Sequence, residues 1–171
     1  MSDTFRVLGI DPGSRVTGYG VVDFGRTTLS YVTSGCIRTQ GDAFSERLKE
    51  IFREVAGLVG RYEPDQIAME RVFMHRNADS ALKLGHARAA AICATFDTEL
   101  PMYEYAAREV KQAVVGRGSA DKAQVQHMVK ALLGLSGKLQ QDAADGLAIA
   151  VCHAHFRQSA RVLSAASATR P

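Results

Sequence analysis

Tryptophan is missing from the chain, and cysteine occurs only as Cys36, Cys93 and Cys152. Three widely spaced cysteines exclude a disulfide framework and a CxxC zinc site, and they read as reduced, buried thiols of a cytosolic protein. Long apolar runs are missing too. The longest nearly apolar stretch, Ala89–Phe96, is broken by Thr95 and falls far short of the ~20 residues a membrane span needs. The opening Met1-Ser2-Asp3-Thr4 has no basic or apolar segment, so no secretory signal is expected, and the expected location is the cytoplasm. No internal repeat or long linker divides the sequence. What is present is the balance of an ordinary globule: 171 residues, 46% hydrophobic and 23% charged. That is about one domain by the ~150-residue prior, and enough chain to bury a core without disulfide or metal staples.

The net charge is only +3, but it is unevenly spread. Residues 106–138 carry Arg108, Lys111, Arg117, Lys122, Lys130 and Lys138 against Glu109 and Asp121. Residues 146–171 carry Arg157, Arg161 and Arg170 and no acid. A basic C-terminal half suits a polyanionic partner, and it suits a solvated surface with a basic tail equally well.

Periodicity gives the order of elements. Phe5–Ile10, Thr17–Phe24 and Leu29–Ile37 read as strands, separated by the turn clusters Asp11-Pro12-Gly13-Ser14 and Gly25-Arg26-Thr27. Turns at that spacing predict a three-strand antiparallel meander. Asp42 is the expected cap of a helix whose apolar residues, Phe44, Leu48, Ile51, Phe52, Val55, Leu58, Val59 and Tyr62, recur at helical steps. Gln66–Val72 reads as a strand, Asn77–Thr98 as a long helix rich in small residues, and Pro101–Tyr105 as a short strand. Helices follow at about Ala107–Val115, Lys122–Leu133 and Asp142–Phe156, with a Ser/Ala/Arg tail from Gln158 expected to fray. The fold class is therefore α/β. A three-strand meander plus two further strands forms a mixed sheet with helices on both faces, and residues 1–157 make one domain. In such sheets, sites gather at the carboxyl ends of strands.

Four acids stand out by position. Asp11 ends the first strand, Glu70 ends an apolar strand, and Asp142 and Asp145 open the last helix. Residues i and i+3 share a helix face, and that face continues through Ala148, Ile149 and Cys152. Singly, most of these have ordinary explanations. Asp-Pro-Gly is good turn chemistry, and aspartates cap helices and complement their dipoles. An acid terminating an apolar strand is harder to dismiss. Together, two strand-end acids and a helix-start pair make a metal-binding arrangement, because hard divalent cations relieve the repulsion of clustered carboxylates. Two such ions ~4 Å apart can activate a water and stabilise a leaving oxygen in phosphodiester hydrolysis.

Four stretches carry a resemblance: Gly9-Ile10-Asp11-Pro12-Gly13, Met69-Glu70-Arg71-Val72-Phe73, residues 77–85 (Asn-Ala-Asp-Ser-Ala-Leu-Lys-Leu-Gly), and Asp142-Ala143-Ala144-Asp145-Gly146-Leu147-Ala148. In order and spacing over residues 5–157 the chain resembles the bacterial RuvC Holliday junction resolvases. The resemblance implies a ribonuclease-H-like fold, a homodimer and magnesium-dependent paired nicking of four-way DNA junctions in recombination and repair. The ends left would be ligatable 5′-phosphates and 3′-hydroxyls. It implies Mg(2+), two per subunit with Mn(2+) able to substitute, held by Asp11, Glu70, Asp142 and Asp145. It implies Lys111 and Lys122 near the scissile phosphate, and cooperation with the RuvA-RuvB branch-migration complex. Gly146 stands where Ala is common in the family, and Arg71 where Gln is frequent.

Other residues are read beside that resemblance. Phe73, followed by Met74, His75, Arg76 and Asn77, begins a polar loop after Glu70. An aromatic there suits a wedge between bases at an unstacked branch point; folding back into the core is the ordinary fate of a Phe. Met74, His75, Arg76, Lys83, Arg108, Arg117 and Ser119 are further candidate DNA contacts, the last two within a Gly-rich turn. Ala81, Gly85, Ala89 and Ile92 form a small-residue stripe that permits close helix approach, by a two-fold partner under the resemblance. His75, His86, His127, His153 and His155 form no metal-ligand set and are expected as surface or packing residues, with His75 a candidate phosphate contact. Two other functions stay open at this point. One is an actin-like or sugar-kinase ATP-binding lobe, which shares the Gly-x-Asp-x-Gly turn but needs two lobes. The other is a non-catalytic junction-binding protein, which would not need the complete acid set.

Overall fold

The computed structural model describes residues 4–71 and 77–168. Strands β1 (Phe5–Asp11), β2 (Val16–Phe24) and β3 (Leu29–Arg38) form the expected meander. Next come helix α1 (Phe44–Tyr62), strand β4 (Gln66–Glu70), helix α2 (Ala78–Cys93) and strand β5 (Met102–Tyr105), then helices α3 (Ala107–Val115), α4 (Lys122–Leu132) and α5 (Gln141–Ala168). The sheet order is β3-β2-β1-β4-β5. β1 and β2 pair antiparallel, as do β2 and β3, whereas β1–β4 and β4–β5 are parallel. This is the mixed five-stranded sheet of the ribonuclease-H-like class.

Successive strand residues point to opposite faces, and the two faces carry separate cores. Leu8, Ile10, Val21, Ile67 and Met69 pack against α1 and α2 residues such as Ile51, Val55, Ala87 and Ala91. Val7, Val22, Phe24, Ala68 and Tyr105 pack against α3, α4 and α5. By the same alternation Asp11 falls on the face of Val7 and Gly9, and Glu70 on that of Gln66 and Ala68. Both acids thus leave the sheet on the α5 side. α5 is buried almost all round from Ala143 to Ala154, as a helix with apolar residues on every side must be.

Several boundaries differ from the sequence reading. Asp42 is not the α1 cap; that position is Ala43, whose N–H donates to the Glu46 carboxylate at 3.2 Å. β4 stops at Glu70 instead of Val72, because its neighbour β5 ends at Tyr105, whose carbonyl takes the last bond, from Arg71 N at 2.8 Å. α2 ends at Cys93 instead of Thr98; Thr95 Oγ1 turns back onto the Ile92 carbonyl at 2.8 Å, and a single 3-10 turn follows, a local bond that competes with helix continuation. α5 runs past Phe156 to Ala168. Gln158 Nε2 donates to the Gly25 carbonyl at 3.0 Å, which ties the helix to the β2–β3 turn.

His153 is fully buried at the centre of the α5 core. Its Nδ1 lies 2.7 Å from the Tyr105 hydroxyl and its Nε2 2.6 Å from Gln66 Oε1. A neutral ring satisfies both, with Nε2–H donating to Gln66 and Nδ1 accepting from Tyr105. The clamp ties α5 to the start of β4 and the end of β5, beside Glu70. Burial, with a smaller push from Arg157, lowers the His153 pKa from 6.5 to about 4. Between those values the unfolded ring takes up a proton that the folded one refuses. Stability is therefore expected to fall as pH drops from about 6.5 to 4, by about 3 kcal/mol. His153→Phe should lose that component of the slope and, by stranding two buried polar groups, about 1–3 kcal/mol at neutral pH. Urea unfolding at pH 7.5 and 5 checks this; an unchanged slope in the variant would reject the assignment.

Candidate active site

Asp11 is the last residue of β1 and Glu70 the last of β4. The parallel register Ile10↔Met69 carries the two carboxylates off the sheet side by side. Asp142 lies in the first turn of α5 and Asp145 just beyond it, and the Gln140 carbonyl accepts the Ala144 N–H at 2.9 Å. The helix start is anchored across the molecule, with Arg38 at the end of β3 donating to Gln140 Oε1 at 2.9 Å.

Glycines let α5 come close enough for these acids to meet. A Cβ at Gly18 would collide with the Asp142 carbonyl oxygen, and one at Gly9 with the Gly146 carbonyl and with Ala150 N at 2.6 Å. One at Gly146 would stand 2.5 Å from Tyr19 Cα. Gly146, where alanine is common under the resemblance, is therefore matched to the short gap between α5 and β2 in this chain. The helix lies backbone against backbone on β1 and β2, so its first turn sits directly over the end of β1.

Asp11, Glu70 and Asp145 line a cleft of 300 Å³ together with Lys111 of α3 and Lys122 of α4, floored by Val110, Val125 and Ala148. Asp142 does not line the cleft, but its charge acts on Asp11 and on Asp145. Burial, followed by the charges of Glu70 and Asp145, pushes the Asp11 pKa up to about 7; Lys122 opposes the shift and Asp142 adds to it. Glu70 is raised by burial and by Asp145, against the pull of Lys122 and Lys111. Asp145 is raised chiefly by burial, against the charge and hydrogen bond of Lys122. Burial alone would lower the Lys122 pKa, but Asp145, Asp11 and Asp142 together raise it.

Acids whose charges are held at this cost, on oxygen donors alone, are the donor set a hard divalent cation takes. As the side chains stand, no group of three or more His, Cys, Asp or Glu among the described residues is drawn tightly enough to hold one ion. Asp145 is turned to Lys122, whose Nζ lies 3.2 Å from Oδ2.

The remaining candidates fall in different places. Phe73, Met74, His75 and Arg76 lie outside the described residues. Lys83 is on the exposed side of α2, its ammonium paired with Asp79 at 2.6 Å. Arg108, Arg117 and Ser119 are exposed on α3 and the α3–α4 connection, where Gly116 caps α3 with a left-handed φ of 84°. The Arg108 stem covers Gly118. Arg71 is exposed and reaches the Glu104 carbonyl at 3.4 Å. Of the small-residue stripe, Gly85 and Ala89 face outward, beside the exposed Leu82 and Phe96. The His153 clamp and the glycine contacts were missed from sequence. The clue was a polar residue, His153, among the Ala-rich turns of the last helix, with Gln66 and Tyr105 at strand ends.

Comparison with known proteins agrees along most of the chain. The family model described as crossover junction endodeoxyribonuclease RuvC matches residues 7–153. A protein of that name from Methylococcus capsulatus is 61% identical over 155 residues, spanning 90% of this chain and 93% of its own. Another, from Marinobacter nauticus, is 60% identical over 153 residues, spanning 90% of this chain and 87% of its own. The structure described as T. thermophilus RuvC in complex with Holliday junction substrate superposes with a TM-score of 0.84 at 34% identity, over 91% of this chain and 96% of that one. The yeast mitochondrial Holliday junction resolvase Ydc2 shares the fold, with a TM-score of 0.65 at 14% identity, over 92% of this chain and 82% of that one. Among the described residues, no helix is long and apolar enough to cross a membrane.

Proposed function

The chain belongs to the crossover junction endodeoxyribonuclease RuvC family of nucleases, and from that premise we propose that it resolves four-way DNA junctions by paired, symmetric nicks during recombination and repair. The observation that supports this reading most directly is the cleft in which Asp11, Glu70 and Asp145 face Lys111 and Lys122. Acids and lysines in one cleft suit a reaction that must hold both cations and a polyanion.

Asp11, Glu70, Asp142 and Asp145 would hold Mg(2+), two ions per subunit, with Mn(2+) able to substitute. Held there, the ions would supply metal-assisted hydrolysis of the phosphodiester, and the ends left would be 5′-phosphates and 3′-hydroxyls. The protein's own part is placement. β1 and β4 fix two carboxylates to the sheet, and α5 fixes two more to a buried helix. Lys111 and Lys122 hold the scissile phosphate and offset charge developing on it. Lys83, Arg108, Arg117 and Ser119, with the 73–76 segment, would contact the backbone and branch point, and Phe73 would wedge at unstacked bases.

A homodimer built on the outward face of α2 would present two such clefts to opposed strands. The RuvA-RuvB complex would deliver the junction, in the cytoplasm. Residues 1–157 would be the nuclease domain and 158–171 its tail.

The test is incubation with a synthetic four-way junction and a linear duplex of matched sequence, with and without Mg(2+). Paired nicks in the junction alone, only with the cation and sealable by ligase, are the expected result. Equal cutting of the duplex, or cutting in a chelator, would reject the reading.

A further inference from the structure

Lys122 is the first residue of α4, with Asp121 as its N-cap. Its side chain is 66% exposed, whereas that of Asp145 is 20% exposed. The ammonium thus reaches in from solvent to a largely buried acid, 3.2 Å from Oδ2. Lys111 lines the same cleft but makes no such contact with a carboxylate among the described residues. It acts on Glu70 and Asp145 through its field.

A carboxylate oxygen engaged by an ammonium is less available to a divalent cation, and the two positive charges repel at that distance. The contact is easily given up, because the Lys122 side chain is mostly exposed and solvent screens the pair from that side. A phosphodiester entering the cleft is a second anion for the same lysine. We propose that Lys122 is a built-in counter-ion of Asp145 that couples the arrival of DNA to cation loading. Without DNA it neutralises Asp145 and weakens cation binding there. A backbone phosphate draws it off and frees the acid. The coupling is reciprocal, so a bound cation also strengthens phosphate binding. This inference rests on the proposed metal-dependent nuclease reading and adds an order of events to it.

The experiment is calorimetric titration of MgCl₂ into the full-length wild-type protein and into Lys122→Ala, Lys122→Met, Lys111→Ala and Asp145→Asn. Each is titrated alone and with a four-way junction carrying phosphorothioates at the branch point, which keep the backbone charge while resisting cleavage. Without DNA, both Lys122 variants should bind Mg(2+) about tenfold more tightly than wild type, and Lys111→Ala should change less. Wild type should gain about tenfold when the junction is added, and the Lys122 variants should gain little. Equal or weaker Mg(2+) binding by the Lys122 variants without DNA, or an equal tightening without DNA in Lys111→Ala, would overturn the coupling and leave the metal reading standing. Absence of Mg(2+) binding in every protein, with or without DNA, would overturn the metal reading and this inference with it.

Discussion

Asp11→Asn is expected to abolish Mg(2+)-dependent junction nicking, by about 10³-fold or more, while junction binding survives. Asn keeps the shape of the side chain and loses the charge that a cation needs, and metal stabilisation of transition-state charge is worth several kcal/mol. The same substitution should make the cation-free protein more stable, which distinguishes a functional acid from a structural one. Asp11 is raised from 3.8 to about 7 by burial and by the neighbouring acids. Between those values the folded protein keeps a proton that the unfolded chain gives up. The stability contributed by Asp11 is therefore present below about pH 4 and is lost as pH rises through about 7. Above that, an ionised Asp11 costs the fold about 2–4 kcal/mol, which Asn avoids. Denaturant unfolding in EDTA should show a gain of that order at pH 8 that vanishes by pH 4. Wild-type nicking by the variant would remove Asp11 from the metal site. An unchanged stability at pH 8 would mean the charge is well solvated.

Gly18→Ala should be almost as damaging, although the substitution adds only an uncharged methyl group. That methyl would meet the Asp142 carbonyl, so β2 and the first turn of α5 must separate. Overpacking of this kind costs about 1–3 kcal/mol. Moving the helix by about 1 Å carries Asp142 and Asp145 away from Asp11 and should cut nicking about 10²-fold. Gly57→Ala is the control, since a Cβ there meets nothing within 4 Å. It should stabilise α1 by about 0.5–1 kcal/mol and leave nicking unchanged. Nicking by Gly18→Ala at the rate of Gly57→Ala would mean that the helix start has slack, and that close packing does not set the acid geometry.

Both predictions combine facts of different origin. That Asp11 and Glu70 end strands was legible, because Phe5–Ile10 and Ile67-Ala68-Met69 alternate or run apolar up to an acid. The helical phase of Asp142 and Asp145 followed from their spacing of three and the apolar stripe behind them. The apolar pattern did not show that Asn77–Thr98 would stop at Cys93 or that the Ser/Ala/Arg tail would continue α5. Those boundaries depend on bonds such as Thr95 to Ile92 and Gln158 to Gly25. Nor was His153 recognisable as a core clamp, because its partners Gln66 and Tyr105 lie 87 and 48 residues away in sequence.

By itself the sequence determined the kinds and order of the elements and which acids end them, because hydrophobic period and turn chemistry act over a few residues. Only the tertiary structure decided that Asp11 and Glu70 share the α5 face, that α5 rests backbone-to-backbone on Gly9 and Gly18, and that Lys122 reaches Asp145. Each of these joins residues far apart along the chain. Their meeting is set by sheet register and by the space left where side chains are missing, and neither has a local signature.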